Sequence, residues 1–306
     1  MSYEHYIGMV DEESVVAECG PMRLVIRAWN RSQPRIKLAR RAAQESFSYL
    51  ERIARSKGVL SRPWPQIEDL PADQLALRMI SSVKAVGDND LTPMAAVAGT
   101  IADAVADWLF EQGATRIIVD NGGDIAIRLA KGETVNVGVR PSLRSSAVSH
   151  VFGLDARVRS WGVTTSGFGG RSFTRGIASA VTALAASAAA ADAASTAIAN
   201  ACFLASKNIR QVSAEQLDPY TDLNGLAVTA GIGELSKPEI AAALEKARQR
   251  AENLVAGGII YGALICRDKV FAMTSSLKPF IGRLGHMRDA GKKAHVRCQD
   301  PGPAAV

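Results

Sequence analysis

The chain has 306 residues, 47% of them hydrophobic and 22% charged, with a formal net charge of +6. These values are typical of a soluble globular protein with enough apolar material for one large or two modest domains. They exclude a disordered or fibrous chain, and no run approaches the roughly 18 uncharged apolar residues of a membrane span. The N-terminus lacks a basic segment followed by an apolar one, so we expect no signal peptide.

The four cysteines lie far apart without a C-x-x-C pair. This spacing favours reduced thiols in a cytoplasmic protein over disulfides or a zinc site. Most of the excess positive charge lies in residues 278–306, which carry +4 of the +6. For this segment we favour a flexible, solvated tail over a nucleic-acid contact, and we assign residues 1–277 to the folded domain.

The first 115 residues predict two strands and three helices. The strands are ESVVAEC (13–19) and MRLVIRAW (22–29), separated by the turn dipeptide Gly20-Pro21. Apolar residues at three- and four-residue spacing predict a helix from Pro34 to about Lys57 and another near 72–86. Pro93 then opens a helix over about 94–112, as its fixed backbone angle permits.

Strands and helices continue to mix through the rest of the chain. We predict strands at RIIVD (116–120), DIAIRL (124–129), TVNVGV (134–139) and about 158–166. In the alanine-rich stretch 178–203, AVTALA is compatible with a strand and the second half with a helix, since alanine loses least on entering a helix. A capping box at Ser236 and Glu239 begins a helix to about Ala256, and a hairpin follows. Because strict β-α-β alternation is missing, we predict a single α+β domain of two layers.

The segment D-N-G-G-D (120–124) lies between two predicted strands. Asn-Gly is a common hairpin signal, so a strand-to-strand turn is the simplest interpretation. Its glycines also let backbone N–H groups approach an anion, and Asn121 and Asp124 add polar groups. On local pattern alone, we favour the turn.

The segment TTSGFGGRSFTRG (164–176) combines four glycines, five hydroxyls and two arginines. Such a loop can surround phosphates with amides, hydroxyls and Arg171 or Arg175. It has neither a G-K-[ST] ending nor G-x-G-x-x-G spacing. A phosphate-binding loop and a flexible surface loop therefore remain equal alternatives.

Asp192 and Thr196 are four residues apart, on one face of the alanine-rich helix. A buried, unpaired carboxylate is costly, and a cation beside it would offset that cost. A carboxylate with a hydroxyl suits a hard ion such as Mg²⁺. The alternative, which the local pattern favours, is that Asp192 faces solvent or caps a shorter helix.

The order of these segments resembles the ApbE superfamily, whose members include flavin transferases that split FAD and attach FMN to Ser or Thr of a target protein. The motifs are N-G-G-D-I (121–125), T-S-G (165–167), and Ala191-Asp192 with Thr196 on a small-residue helix. PMAAVAGTIAD (93–103) also falls where the superfamily has a helix start. The resemblance covers about residues 90–205 and points to a cytoplasmic branch distinct from the transferases.

The resemblance implies a T-fold-like α+β domain that binds FAD or a related nucleotide, with Mg²⁺ beside its pyrophosphate, and our leading hypothesis is an enzyme that transfers FMN or cleaves the pyrophosphate. It assigns cofactor contacts to the two glycine-containing segments and metal binding to Asp192 and Thr196. The cofactor-binding residues are Asn121, Gly122, Gly123, Asp124, Thr165, Ser166, Gly167 and Arg171. The partner would be a flavin or nucleotide, with an unidentified acceptor protein, no nucleic acid and no membrane. The alanine-rich helix is compatible with packing inside the chain or in a homodimer.

The chain departs from the transferases at two places. They usually carry a K-G pair where this chain has Ala98-Gly99, and an H-x-x-D-P-like segment before the A-D-T helix, where residues 171–190 have no His, Asp or Pro. No catalytic residue is therefore assigned. The alternative to an enzyme is a flavin- or anion-binding protein without the transfer machinery.

Overall fold

In the computed structural model, residues 3–142, 145–283 and 295–296 are described. Its main feature is a ten-stranded sheet in which the paired strands are antiparallel, with the order β1-β2-β3-β5-β6-β9-β10-β13-β14 and β4 paired to β3. The strands are β1 Tyr6–Asp11, β2 Ser14–Cys19, β3 Met22–Asn30, β4 Gln33–Pro34, β5 Arg116–Asn121, β6 Asp124–Leu129, β9 Ser160–Ser166, β10 Ala180–Ala185, β13 Gly262–Arg267 and β14 Val270–Met273.

Helices cover one face of this sheet and enclose the larger of two hydrophobic cores. They are α1 Ile36–Arg55, α2 Lys57–Leu60, α3 Gln74–Val86, α4 Val97–Glu111, α5 Ala188–Ala201 and α6 Lys237–Ala256. The 3-10 turn Pro93–Ala96 precedes α4. Because strand side chains alternate between faces, Ile117 and Val119 of β5 enter this core while Ile118 enters the other.

The second core lies between the main sheet and a smaller sheet with the order β15-β8-β7-β16. These strands are β7 Thr134–Val139, β8 His150–Asp155, β15 Ile281–Arg283 and β16 His295–Val296. Phe152 is fully buried here, and Trp161 meets Phe280 edge-on with their ring centroids 5.6 Å apart. A separate hairpin, β11 Ile209–Ser213 with β12 Ala227–Ile232, lies between α5 and α6 in the chain.

The mixed α+β class is confirmed, as are the predicted helices and the AVTALA strand. The capping box is present, with Ser236 accepting from the Glu239 N–H and Glu239 from the Ser236 N–H. In the proposed tail 278–306, Ile281–Arg283 pairs with β8 and His295–Val296 pairs with β7, whereas most of the segment lies outside the described residues.

The alanine-rich helix α5 packs inside its own chain, against α4, α6 and the sheet strands β9 and β10. Seven of its alanines are buried. The small side chains permit backbone contact, and a Cβ added to Gly99 of α4 would lie 2.3 Å from the Ala188 carbonyl oxygen. Alanine content here therefore reflects close helix packing.

Among the described residues, one helical stretch, Pro93–Glu111, is long and apolar enough by length and composition to cross a membrane. It is 61% buried in the domain, as is typical of the core helix of a soluble protein. The described cysteines, Cys19, Cys202 and Cys266, are free and buried.

Candidate functional site

A cavity of ≈ 310 Å³ opens where the first turn of α4, the N-G-G-D turn and one face of α5 meet. Of the predicted site residues, Asp124, Arg171, Asp192 and Thr196 line it. Three segments far apart in sequence therefore contribute polar groups to one cavity. Its size is at the lower end of the range for small-molecule sites, about 300–1,000 Å³.

The D-N-G-G-D segment forms a two-residue hairpin turn, so the turn prediction is confirmed. Asn121 pairs with Asp124, and Gly122 and Gly123 have φ values of 68° and 109°. Such a turn requires positive φ at both central residues, which glycine adopts without strain. The Asp120 carboxylate accepts a 2.7 Å hydrogen bond from the Gly123 N–H and fixes the turn.

The same turn also serves the cavity, because its remaining polar side chains lie on the helical face of the sheet. The Asn121 side-chain amide donates to the Ala98 carbonyl oxygen at 3.1 Å, which ties the turn to the start of α4. Asp124 then faces the cavity. Within this segment, Asp120 and the two glycines form the turn, whereas Asp124 lines the cavity.

On α5, a stripe of polar residues at four-residue spacing faces the cavity: Asp192, Thr196 and Asn200. Asp192 Oδ2 accepts a 2.9 Å hydrogen bond from the Gly99 N–H in the first turn of α4. Ala96, the N-cap of α4, makes no side-chain cap. Asp192 thus caps a neighbouring helix while its side chain lines the cavity.

Burial, together with neighbouring carboxylate charges, raises the pKa of both cavity carboxylates. Burial raises the pKa of Asp192 to about 7, against the opposing effect of hydrogen bonds from the Gly99 and Ala98 backbone. The pKa of Asp124 is raised well above its usual range by burial and then by the charges of Asp192 and Asp120. A hydrogen bond from the Thr165 backbone and the charge of Arg171 act in the opposite direction. A cation between the carboxylates would stabilise both ionised forms.

The T-S-G segment reaches this cavity less directly than the resemblance implies. Side chains alternate along β9, so Thr164 contacts Ser195 of α5 while Thr165 points to the other face and contacts Thr182. Thr165 there lines a smaller cavity of ≈ 30 Å³ together with Gly122 and Gly123. Ser166 and Gly167 line neither cavity.

Arg171 lies across the N-G-G-D turn. Its guanidinium occupies the space beside Gly122, where an added Cβ would lie 2.0 Å from Nη2, and Nη1 donates to the Pro21 carbonyl oxygen at 3.1 Å. Arg175 also lines the cavity and forms an ion pair with Asp90.

Segment 217–226, between β11 and β12, forms another wall of the cavity and was not predicted from the sequence. Asp222 accepts a hydrogen bond from Thr92, just before α4, and Tyr220 lines the cavity while remaining 87% exposed. No sequence motif marks this segment. Asn200, in contrast, was detectable, because it continues the four-residue spacing of Asp192 and Thr196.

Comparison with known proteins identifies the family of the chain. Residues 8–276 match the protein family described as AbpE bacteria, which is most of the chain. The chain belongs to this family. It is also 34% identical over 118 residues to a UPF0280 protein of Methanococcus aeolicus and 38% identical over 108 residues to one of Archaeoglobus fulgidus. These matches cover 38% and 35% of this chain, and 46% and 42% of the relatives, so they span less than half of each relative.

Two solved structures align with most of the chain at low sequence identity. The ApbE protein of Thermotoga maritima aligns over 91% of this chain and 99% of its own, with 14% identity and a TM-score of 0.47. The flavin transferase ApbE of Vibrio cholerae aligns over 91% and 99%, with 15% identity and a TM-score of 0.40.

The donor set in the cavity suits a hard divalent cation better than a transition metal. Asp124 and Asp192 offer carboxylate oxygens and Thr196 a hydroxyl. No group of three or more His, Cys, Asp or Glu side chains arranged for metal binding occurs within the described part of the chain. Mg²⁺ typically binds one or two carboxylates and completes its shell with water and substrate phosphates, so this set fits a Mg²⁺–phosphate complex.

Proposed function

We propose that the cavity binds FAD or a related nucleotide pyrophosphate together with Mg²⁺, and that the chain uses this complex for FMN transfer or pyrophosphate cleavage. The observation that carries the proposal is the convergence of Asp124, Asp192 and Thr196, from two separate segments, on one cavity. Family membership supports it, because the ApbE superfamily includes flavin transferases.

The charges around the cavity favour a cation together with an anionic ligand over a bare anion. Five aspartates line it against Lys57, Arg171 and Arg175, and Arg175 is already paired with Asp90. A phosphate entering without a cation would meet Asp124 and Asp192 directly. With the cation, Arg171 would supply a second positive charge for the phosphate oxygens.

The shape of the lining agrees with a nucleotide. Apolar side chains, among them Phe173, Leu226 and Val228, form part of the wall, and Tyr220 offers an exposed aromatic ring. A planar base or flavin ring suits such groups, while the pyrophosphate would lie toward the carboxylates.

In this proposal the residues of the chain bind the cation and orient the nucleotide. Asp124, Asp192 and Thr196 would hold Mg²⁺, which when bound neutralises charge on the bridging phosphates as the leaving group departs. Hydrogen bonds from the α4 backbone hold the Asp192 carboxylate in place, and the turn holds Asp124.

A non-catalytic flavin-binding protein is the second candidate. The observation that favours it is Ala98, which lines the cavity where transferases of the superfamily usually carry lysine. The missing H-x-x-D-P-like segment points the same way. This candidate predicts the same binding without turnover.

Calorimetric titration of FAD into metal-stripped protein, with and without Mg²⁺, tests the proposal. We expect binding that requires Mg²⁺ and is lost in Asp192→Ala. Asp155→Asn is the matched control, since it removes a carboxylate from β8, in the small sheet. Absence of FAD binding in every condition would refute the flavin site. Incubation with FAD and Mg²⁺, followed by chromatography for FMN and AMP, then separates an enzyme from a binding protein.

A further inference from the structure

An ion-pair network between α4 and β6, outside the cavity lining, is not used by the proposed function. Arg128 of β6 is 4% exposed, and its Nη2 donates to Asp103 Oδ1 at 2.9 Å and its Nε to Asp107 Oδ1 at 2.8 Å. Asp103 is fully buried, whereas the Asp107 side chain is 39% exposed and also meets Arg78 at 3.2 Å. Burial lowers the pKa of Arg128, but the charges of Asp103 and Asp107 outweigh it.

Asp103 connects this network to the helix that carries the cavity stripe. Its second oxygen, Oδ2, accepts a 2.9 Å hydrogen bond from the Ala189 N–H in the first turn of α5. Asp192 makes the reverse contact, accepting from the Gly99 N–H in the first turn of α4. Each helix is therefore capped by a carboxylate of the other, and Gly99 provides the close approach that makes both bonds short enough.

We propose that Asp103 is a positioning residue of the cation site, which sets the place of α5 relative to α4 and thereby the distance between Asp192 and Asp124. The proposal rests on the Mg²⁺ site of the proposed function. Asp124 belongs to β6, the same strand as Arg128, while Asp192 belongs to α5. Asp103 joins the two through its bonds to Arg128 and to Ala189.

An ion pair with Arg128 alone would not require the additional bond from Asp103 to α5. Asp103 uses both oxygens for two separate donors, one on the strand of Asp124 and one on the helix of Asp192. An asparagine has one side-chain acceptor, so it can satisfy only one of these donors, and its NH₂ group would face the other. Groups that orient metal ligands from outside the coordination shell typically change metal affinity 10- to 100-fold on mutation.

The test compares Asp103→Asn with Asp107→Asn. Both changes remove one carboxylate from Arg128, but only Asp103 contacts α5. Calorimetry with Mg²⁺ and FAD, and Mn²⁺ electron paramagnetic resonance, report the site, while thermal unfolding reports stability. We expect about a tenfold or greater loss of Mg²⁺ affinity and an altered Mn²⁺ spectrum in Asp103→Asn. In Asp107→Asn we expect less than about a twofold change, because the asparagine oxygen can still accept from Arg128 Nε and the Asp103 bond to α5 is retained.

Equal affinities and identical Mn²⁺ spectra in the two variants, with wild-type binding intact, would overturn the inference and leave the proposed function standing. If the wild-type chain binds neither Mg²⁺ nor Mn²⁺, both the inference and the proposed function are wrong. Should Asp103→Asn fail to fold, hydrogen exchange of the wild-type Ala189 and Gly99 amides decides. Slower exchange of both amides with Mg²⁺ supports coupling of the helix ends to the site, and slower exchange at Gly99 alone contradicts it.

Discussion

Replacing Asp192 by asparagine should remove a pH dependence from the stability of the metal-free protein. The folded state holds the Asp192 proton with a pKa of about 7, against about 3.9 in an unfolded chain. A group whose pKa is raised on folding favours the folded state only while it is protonated. Wild-type stability should therefore fall as the pH rises from about 4 to about 7, by about 4 kcal/mol in all.

The asparagine variant keeps an acceptor for the Gly99 N–H but has no proton to lose. Its stability should be flatter over that pH range, more so because Asp124 no longer feels the Asp192 charge. About 3 kcal/mol of this change falls between pH 4.5 and 8, so at about 2 °C per kcal/mol for a domain of this size the wild-type and variant melting temperatures should diverge by about 6 °C over that range.

Differential scanning calorimetry in chelator, and then in Mg²⁺, measures both parts of this prediction. Taking the wild-type minus variant difference at each pH cancels the titration of the groups that do not interact with Asp192, and leaves the contributions of Asp192 and Asp124. Mg²⁺ should raise the wild-type melting temperature more at pH 8 than at pH 5, because the ligands must be deprotonated to bind it, and should leave the variant unchanged. Equal pH slopes in wild type and variant would refute the reasoning. A pH dependence of the wild-type melting temperature without any effect of Mg²⁺ would mean that Asp192 caps α4 but does not bind the cation.

Three further changes test separate parts of the structure. Gly99→Ala should lower the free energy of unfolding by about 1–3 kcal/mol, because its Cβ would lie 2.3 Å from the Ala188 carbonyl oxygen. Gly58→Ala is the control and should be neutral or slightly stabilising, because an added Cβ there would have nothing within 4 Å. Equal effects of the two changes in thermal unfolding would contradict the close packing at Gly99. Tyr220→Ala should weaken FAD binding about 2- to 10-fold with no change in melting temperature, since the ring is 87% exposed, and unchanged affinity would exclude a stacking role. Thr196→Val should weaken Mg²⁺ binding measured by calorimetry in the presence of FAD, and full affinity would exclude it as a ligand.

Most of the fold follows from local patterns that do not depend on the rest of the chain. The helix Lys237–Ala256 begins at its capping box because that signal is complete within four residues. The N-G-G-D hairpin is equally local. The strand β1 Tyr6–Asp11 and the small-sheet strand β8 His150–Asp155 were missed, because their sequences carry weak alternation and their pairing depends on partners elsewhere in the chain.

The site residues also differ in how well the local sequence predicts them. Asp192 and Thr196 are readable from helical spacing, and Asn200 was available from the same repeat. The face that Thr165 occupies could not be predicted, because a strand presents successive side chains to opposite faces and T-S-G alone does not reveal which residue faces the helices.

Asp103 illustrates what a sequence cannot supply. On the predicted helix it falls opposite the apolar stripe, where a charged residue is usually solvated, yet it is fully buried. Its burial is tolerable only because Arg128 and the first turn of α5 lie against it, and both contacts are long-range. The amphipathic pattern identifies the side of a helix that meets the main core, but not a second, polar side that a neighbouring helix and strand enclose. Asp103 is such a residue, because it contacts both Arg128 of β6 and the first turn of α5. Under the inference above, these two contacts fix the distance between the cation ligands Asp124 and Asp192, which lie on the same two elements.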